Sequence, residues 1–172
     1  DSEIIIIGDR SSQSYIDITI DVMKSFGVDV ITTATGYKIV AESSYKSPSE
    51  IKVEGDWSNS AAWLVAGAVC GDIKVYGLNI DSVQGDRYIV DILKKMGAMV
   101  VVDKQYVRVC KSKLKSIAFD ADNTPDLVPV VAVAAACAEG ITIISNVERL
   151  RLKESDRLSA IIDMLKRLKI KA

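Results

Sequence analysis

Four cations, Arg149, Arg151, Lys153 and Arg157, crowd residues 149–157, with only Glu154 and Asp156 to offset them. The apolar residues that follow, Leu158, Ile161, Ile162, Leu165 and Leu168, keep the spacing of one helical face. Ser155 is the expected N-cap, which puts Arg157 in the first turn. A helix N-terminus carries partial positive charge and prefers anions. Cations gathered where backbone N–H groups already point outward make a place for a phosphate or a carboxylate. The alternative is a solvated helix start with internal ion pairs.

The rest of the composition narrows the chemistry. The chain has 172 residues, 49% hydrophobic and 26% charged, a foldable composition for one domain or parts of two. Histidine is absent, which removes Ser-His-Asp and Cys-His catalysis and most catalytic zinc sites. The net charge of -1 argues against a general nucleic-acid binder, so any anion site is local. Cys70, Cys110 and Cys137 lack metal-ligand spacing and are odd in number; they are expected to be buried free thiols in a reducing cytoplasm. No signal peptide is visible. The longest apolar run, 127–138, contains Pro129 and is too short to span a membrane.

The elements that must position the cations repeat along the chain. A strand at 4–7, a polar turn at 8–14 and a helix at 15–26 closing at Gly27 lead to a hairpin of 28–31 and 37–40. Residues 43–50 are a connection. A second block opens with a strand at 51–53. It continues with a helix at 61–70 that has Ser58, Asn59 and Ser60 as candidate caps, a strand at 73–76 and a helix at 86–96 closing at Gly97. A hairpin of 100–102 and 106–109 ends it. A third block has a strand at 116–119, a helix at 126–138, a strand at 141–145 and a helix at 155–168. Met23-Lys24-Ser25-Phe26-Gly27, Leu93-Lys94-Lys95-Met96-Gly97 and Leu165-Lys166-Arg167-Leu168-Lys169 take the same place in each block. They recur roughly every 70 residues, the mark of a duplicated unit. Only the middle copy is complete, which predicts a piece of a longer chain. Lys169, where the other copies have glycine, predicts an altered or frayed helix end. The helices 61–70 and 130–138 are small and apolar all round, so both are expected to be buried on every side.

Leu152-Lys153-Glu154-Ser155-Asp156-Arg157 resembles the Lys-Glu-Ser/Thr-Asp-Arg signature of the EPSP synthase (3-phosphoshikimate 1-carboxyvinyltransferase) family. Ser12-Gln13-Ser14-Tyr15-Ile16-Asp17-Ile18-Thr19, Val53-Glu54-Gly55-Asp56-Trp57-Ser58, Gln84-Gly85-Asp86 and Pro125-Asp126 agree with it in family order, so the resemblance covers essentially the whole chain. It implies an α/β (α+β) fold of repeated βαβαββ units in two globules, with buried helices surrounded by sheets. Residues 1–52 would end the first globule. Residues 53–172 would form one complete and one incomplete unit of the second. The family's active site lies between the globules.

The resemblance implies transfer of the enolpyruvyl group of phosphoenolpyruvate to the 5-hydroxyl of 3-phosphoshikimate, with release of phosphate and no metal or organic cofactor. It implies a cytoplasmic, monomeric parent protein with these two small-molecule partners, the remainder of its own chain, and neither nucleic acid nor membrane. Asp126 matches the catalytic aspartate that accepts a proton and contacts shikimate hydroxyls; the plain alternative is an Asp complementing a helix dipole. Glu154 matches a proton-transfer glutamate, although among cations it should be ionised. Lys153 matches a lysine that binds 3-phosphoshikimate, and Arg157 an arginine that binds phosphoenolpyruvate, for which a guanidinium gives a two-pronged grip. Ser12 matches a serine on the shikimate phosphate or is a helix cap. Tyr15 matches a tyrosine near shikimate or is a packing residue. Arg149 stands where some family members have a 3-phosphoshikimate-binding asparagine, a departure in size and charge. Trp57 and Trp63 read as packing residues, and Gln84-Gly85-Asp86 as turn and cap.

Several substrate-binding segments of the family lie outside this sequence, so the chain alone is expected to be inactive. Two rival readings are a UDP-N-acetylglucosamine enolpyruvyl transferase and a non-catalytic binding or scaffold module of the same fold.

Overall fold

A computed structural model describes residues 2–8 and 12–172. The turn expected at 8–14 falls partly on Asp9, Arg10 and Ser11, which lie outside the described residues. The chain divides into two compact units, residues 1–53 and 54–172.

The first unit has strand β1 (Ser2–Ile5), helix α1 (Gln13–Ser25) and strands β2 (Val30–Thr32) and β3 (Gly36–Ile39). The strands form an antiparallel sheet in the order β1-β3-β2. Helix α1 is tied to β3 by Gln13 Nε2, which donates to the hydroxyl of the buried Tyr37 at 2.9 Å. Residues 51–53, expected as a strand, pair with none.

The second unit carries the core. Helix α2 (Trp57–Cys70) packs on strands β4 (Asp72–Tyr76) and β6 (Tyr106–Cys110) and on helices α3 (Ile89–Lys95) and α4 (Val128–Ala136). With β5 (Met99–Val102), the strands make an antiparallel sheet in the order β4-β6-β5. Strands β7 (Ala118–Asp120) and β8 (Ile143–Ser145) pair in parallel, and α5 (Arg157–Arg167) follows. Ala61, Leu64, Val65 and Ala68 of α2 meet Ile89, Ile92 and Leu93 of α3, Val107 and Val109 of β6, and Val128 and Val131 of α4 in one apolar cluster. Alternation along β6 sends Val107 and Val109 inward and leaves Arg108 outside against Asp72.

Four helices begin differently from expectation. Helix α2 starts at Trp57, capped by Asp56, whose carboxylate accepts from Asn59 N at 3.1 Å; Ser58, Asn59 and Ser60 lie inside the helix. The expected helix at 86–96 opens with a 3-10 turn, Gly85–Tyr88, and that at 126–138 with another, Pro125–Leu127. Helix α5 is capped by Asp156 and not by Ser155: Asp156 accepts from Ser159 N at 2.9 Å. An adjacent Ser-Asp pair offers two frames, and the carboxylate is the stronger acceptor for backbone N–H.

The end of α5 is not frayed. Lys169 adopts the left-handed conformation (φ 61°) that Gly27 and Gly97 adopt at the corresponding ends. Lys169 N donates to Lys166 O and Ile170 N to Leu165 O, both at 2.9 Å, so the helix closes as the others do.

The two apolar helices are not enclosed on every side. Trp63 of α2 is 64% exposed and Val133 of α4 is 41% exposed, because no element among the described residues covers that face. Cys70 and Cys137, at the ends of these helices, are exposed and Cys110 is half-buried, so the expectation of buried thiols fails for the same reason.

Candidate active site

Asp126 lies in the 3-10 turn that starts α4, directly after Pro125. Proline at the first helical position and a carboxylate beside it suit a helix start. The next partners come from the chain leading into α5. After β8, the 3-10 turn Glu148–Leu152 buries Leu150 as an anchor, and Lys153 follows in an extended conformation. That extension brings Lys153 Nζ to 3.4 Å from Asp126 Oδ1. Arg157, the first residue of α5, places Nη1 2.8 Å from the same oxygen and Nη2 2.7 Å from Glu154 Oε2. One carboxylate oxygen is thus shared by two cations, all three side chains being between a quarter and a third exposed.

The protonation states follow from these contacts. A hydrogen bond from its own backbone N–H, then the bond from Arg157 and the guanidinium charge, hold the Glu154 carboxyl below its ordinary value. Glu154 is therefore an anion at neutral pH. Arg157 is pushed above its ordinary value by its bond to Glu154 and by the charge of Asp126, against the opposing effect of burial. Arg151 stands apart from the trio: it donates to Asp156 Oδ2 at 2.9 Å and Ser159 Oγ at 3.1 Å, bracing the start of α5.

The structure brings together Asp126, Lys153, Glu154 and Arg157. Arg149 lies exposed on the 3-10 turn that precedes them. Ser12 and Tyr15 belong to the first unit. Ser12 has left-handed backbone angles (φ 57°) just before α1, and its side chain makes no capping bond; its carbonyl accepts from Tyr15 N at 3.1 Å. Tyr15 is 42% exposed and is no core residue.

A second carboxylate, Asp86, is in electrostatic reach of Asp126 and Lys153, in the segment expected as turn and cap. Asp86 is 5% exposed and accepts a hydrogen bond from Ser58 Oγ, in the first turn of α2. The segment before it is tied down. Gln84 Oε1 accepts from Trp57 N at 2.9 Å, while Gln84 Nε2 donates to Glu54 Oε1 at 2.7 Å and to Gly55 O at 3.0 Å. A Cβ on Gly55 would lie 2.7 Å from Gly77 O, so only glycine allows this approach. An acidic residue directly after Gln-Gly is the only sequence signal of Asp86, and it signals a turn equally well.

Among the described residues, no three His, Cys, Asp or Glu side chains are grouped to hold a metal ion, and no helix is long and apolar enough to cross a membrane.

The helix-and-sheet units are those of the enolpyruvyl transferase fold class, as the similarity to solved structures of that class shows. In fold alone the chain is similar to the enolpyruvyl transferase NikO from Streptomyces tendae, with TM-score 0.59 and 22% identity over 75% of this chain and 32% of that one. It is more similar to the EPSP synthase of Acinetobacter baumannii, with TM-score 0.70 and 28% identity over 84% of this chain and 35% of that one. The family model described as EPSP synthase (3-phosphoshikimate 1-carboxyvinyltransferase) matches residues 1–172, and the chain belongs to that family. Relatives named 3-phosphoshikimate 1-carboxyvinyltransferase from Clostridium novyi and Clostridium acetobutylicum are 42% and 44% identical over 168 residues, 98% of this chain. The chain spans 39% of the length of these relatives.

Proposed function

We propose that this chain is the central part of a 3-phosphoshikimate 1-carboxyvinyltransferase. The protein moves the enolpyruvyl group of phosphoenolpyruvate to the 5-hydroxyl of 3-phosphoshikimate and releases phosphate. The observation that carries this reading is the Asp126 oxygen shared by Lys153 and Arg157, 3.4 and 2.8 Å away, in a chain of this family.

The roles follow from charge and reach. Asp126 accepts the proton of the attacking hydroxyl. Oxygen then bonds to the central carbon of phosphoenolpyruvate while its methylene carbon gains a proton, giving a tetrahedral adduct. Loss of a proton from that methyl carbon and of phosphate from the central carbon restores the alkene. Glu154 is assigned to proton transfer at that carbon: ionised at rest, it takes up a proton from water before the addition, gives it to the methylene carbon, and as the carboxylate removes a proton from the methyl group in the elimination. Arg157 grips phosphoenolpyruvate through its planar fork, exchanging Asp126 and Glu154 for the substrate's anions. Lys153 binds 3-phosphoshikimate between its ring and Asp126. Ser12, Tyr15 and Arg149 are assigned to the same substrate. Residues 1–52 are assigned to the end of a first globule and 53–172 to a second. The setting proposed is a cytoplasmic monomer.

Phosphate release from phosphoenolpyruvate tests the reading. A full-length protein containing this chain should release phosphate only when 3-phosphoshikimate is present, and the 172-residue chain alone should release none. A folded full-length protein with no such release would overturn the assignment. Turnover by the isolated chain would overturn its status as a part.

A further inference from the structure

Among the described residues, Asp86 is the most buried charged side chain, and no Lys or Arg lies within ion-pair distance of it. A buried carboxylate without a paired cation is costly, and an amide of the same shape would satisfy Ser58 equally well. What surrounds it explains its use. Ser58 of α2 donates to it, and the charges that act on it are the carboxylates of Asp126, at the start of α4, and of Asp56, the cap of α2, and the ammonium of Lys153 in the segment before α5. Lys153 therefore stands in the field of two carboxylates, and Asp126 has a negative neighbour on its protein side.

We propose that Asp86 is a positioning residue of this site. Anchored by Ser58, it supplies a fixed negative charge beside Asp126 and Lys153, which strengthens Asp126 as a proton acceptor and keeps the Lys153 ammonium turned toward it. The role rests on Asp126 being the proton acceptor of the proposed reaction. A like charge nearby disfavours the ionised form of Asp126, so the proton of the attacking hydroxyl is taken more readily. Once Asp126 is protonated, the repulsion between the two groups is gone. The state after proton transfer is thereby favoured over the state before it. Burial, opposed by the Ser58 bond and reinforced by the charge of Asp126, pushes the Asp86 carboxyl above its ordinary value. The influence is mutual, as for any coupled pair.

Carboxyl carbon-13 NMR on the 172-residue chain tests this without substrate. In the unmodified chain the Asp126 resonance should show a second inflection at the midpoint of Asp86. In Asp86→Asn, whose amide keeps the Ser58 partner, the Asp126 midpoint should fall by about one pH unit. A single-site Asp126 curve in the unmodified chain overturns the proposal whether or not the variant folds. So does an unmoved midpoint in a variant with a native amide spectrum. In the full-length protein, Asp86→Asn should move the acid limb of kcat/KM to lower pH and lower kcat about tenfold; a merely structural role would reduce folded enzyme without moving the limb. An inactive full-length protein would overturn the functional reading and leave the titration to judge Asp86 by itself.

Discussion

Asp86-Arg87 comes just before the second helix of the middle block and Asp156-Arg157 just before the second helix of the last, yet the two pairs turn opposite ends inward. In the earlier copy the aspartate is buried against Ser58, and Arg87 lies outside, donating to Ile80 O at 2.6 Å. In the later copy Asp156 stays outside as a helix cap, and Arg157 turns in to Asp126. The residue opposite decides the outcome. The buried helix α2 begins with a neutral hydroxyl, which can donate to a carboxylate. The turn before α4 presents a carboxylate, which needs a cation. The same backbone unit thus makes an acid pocket in one copy and a cation cluster in the other, side by side through the contact of α2 with α4.

The largest test of this comparison concerns the anchor of α2. Trp57 is 1% exposed, and its Nε1 donates to Asn79 O at 3.0 Å. Trp57→Ala should lower the stability of the chain by about 3–5 kcal/mol in urea unfolding. Trp63→Ala, on the open face of the same helix, should change it by no more than about 0.5 kcal/mol. Equal effects would mean that the start of α2 is not what fixes Ser58 against Asp86.

The next test sets the two arginines against each other in the full-length protein. Arg157→Ala should lower the rate of phosphate release by about 100- to 1000-fold, the usual loss when a group stabilising transition-state charge is removed. Arg157→Lys should recover only part of it, since an ammonium lacks the planar two-pronged grip of a guanidinium on a carboxylate or phosphate. Arg87→Ala should leave the rate within about twofold, as is usual for an exposed surface residue. A large effect of Arg87 would erase the distinction between the copies.

A smaller effect separates the two aspartates by the sign of their pH dependence. Asp86 has its carboxyl raised from 3.8 by burial, so the folded state holds its proton more tightly than the unfolded chain. Its contribution to stability is complete below 3.8 and is lost as pH rises through the raised value. In Asp86→Asn that downward slope should vanish from urea midpoints measured across the range, leaving the variant relatively more stable at neutral pH than in acid. A wild-type slope retained in the variant would show that Asp86 is ionised without penalty.

How far these features could be read in advance depends on whether they are local. The cation cluster, the recurring helix closures at 27, 97 and 169 and the apolar faces of α2 and α4 are patterns along the chain and are present in the fold, whereas the strand expected to open the middle copy is not. The paired hairpin strands also follow from local alternation. Asp86 was missed because Gln-Gly-Asp has the same local chemistry as any turn; only α2, folded back from 28 residues earlier, makes it buried. Trp63, expected to pack in the core or at an interface, is not in the core, because an apolar helix does not say which of its faces has a neighbour. The clean end at Lys169 is not legible because lysine seldom takes a left-handed angle, yet the two backbone bonds that close α5 are made with it.

The smallest test is the outward aspartate of the pair. The bond from Ser159 N, then that from Ser159 Oγ, with the Arg151 guanidinium, holds the Asp156 carboxyl below its ordinary value. Its stabilising contribution is therefore present above 3.8 and is lost as pH falls through the lowered value, opposite in sign to Asp86. Asp156→Ala should lower the urea midpoint at neutral pH, and the gap to the unmodified chain should close in acid. Asp156→Asn should keep most of the midpoint, because an amide oxygen can still cap Ser159 N, while giving up the charge that Arg151 meets. In the full-length protein both variants should keep the acid limb of the pH profile, since Asp156 faces the helix and Asp86 faces Asp126. A shifted limb in Asp156→Asn would mean that the outward aspartate also acts on the site, and the two copies would then differ less than their contacts indicate.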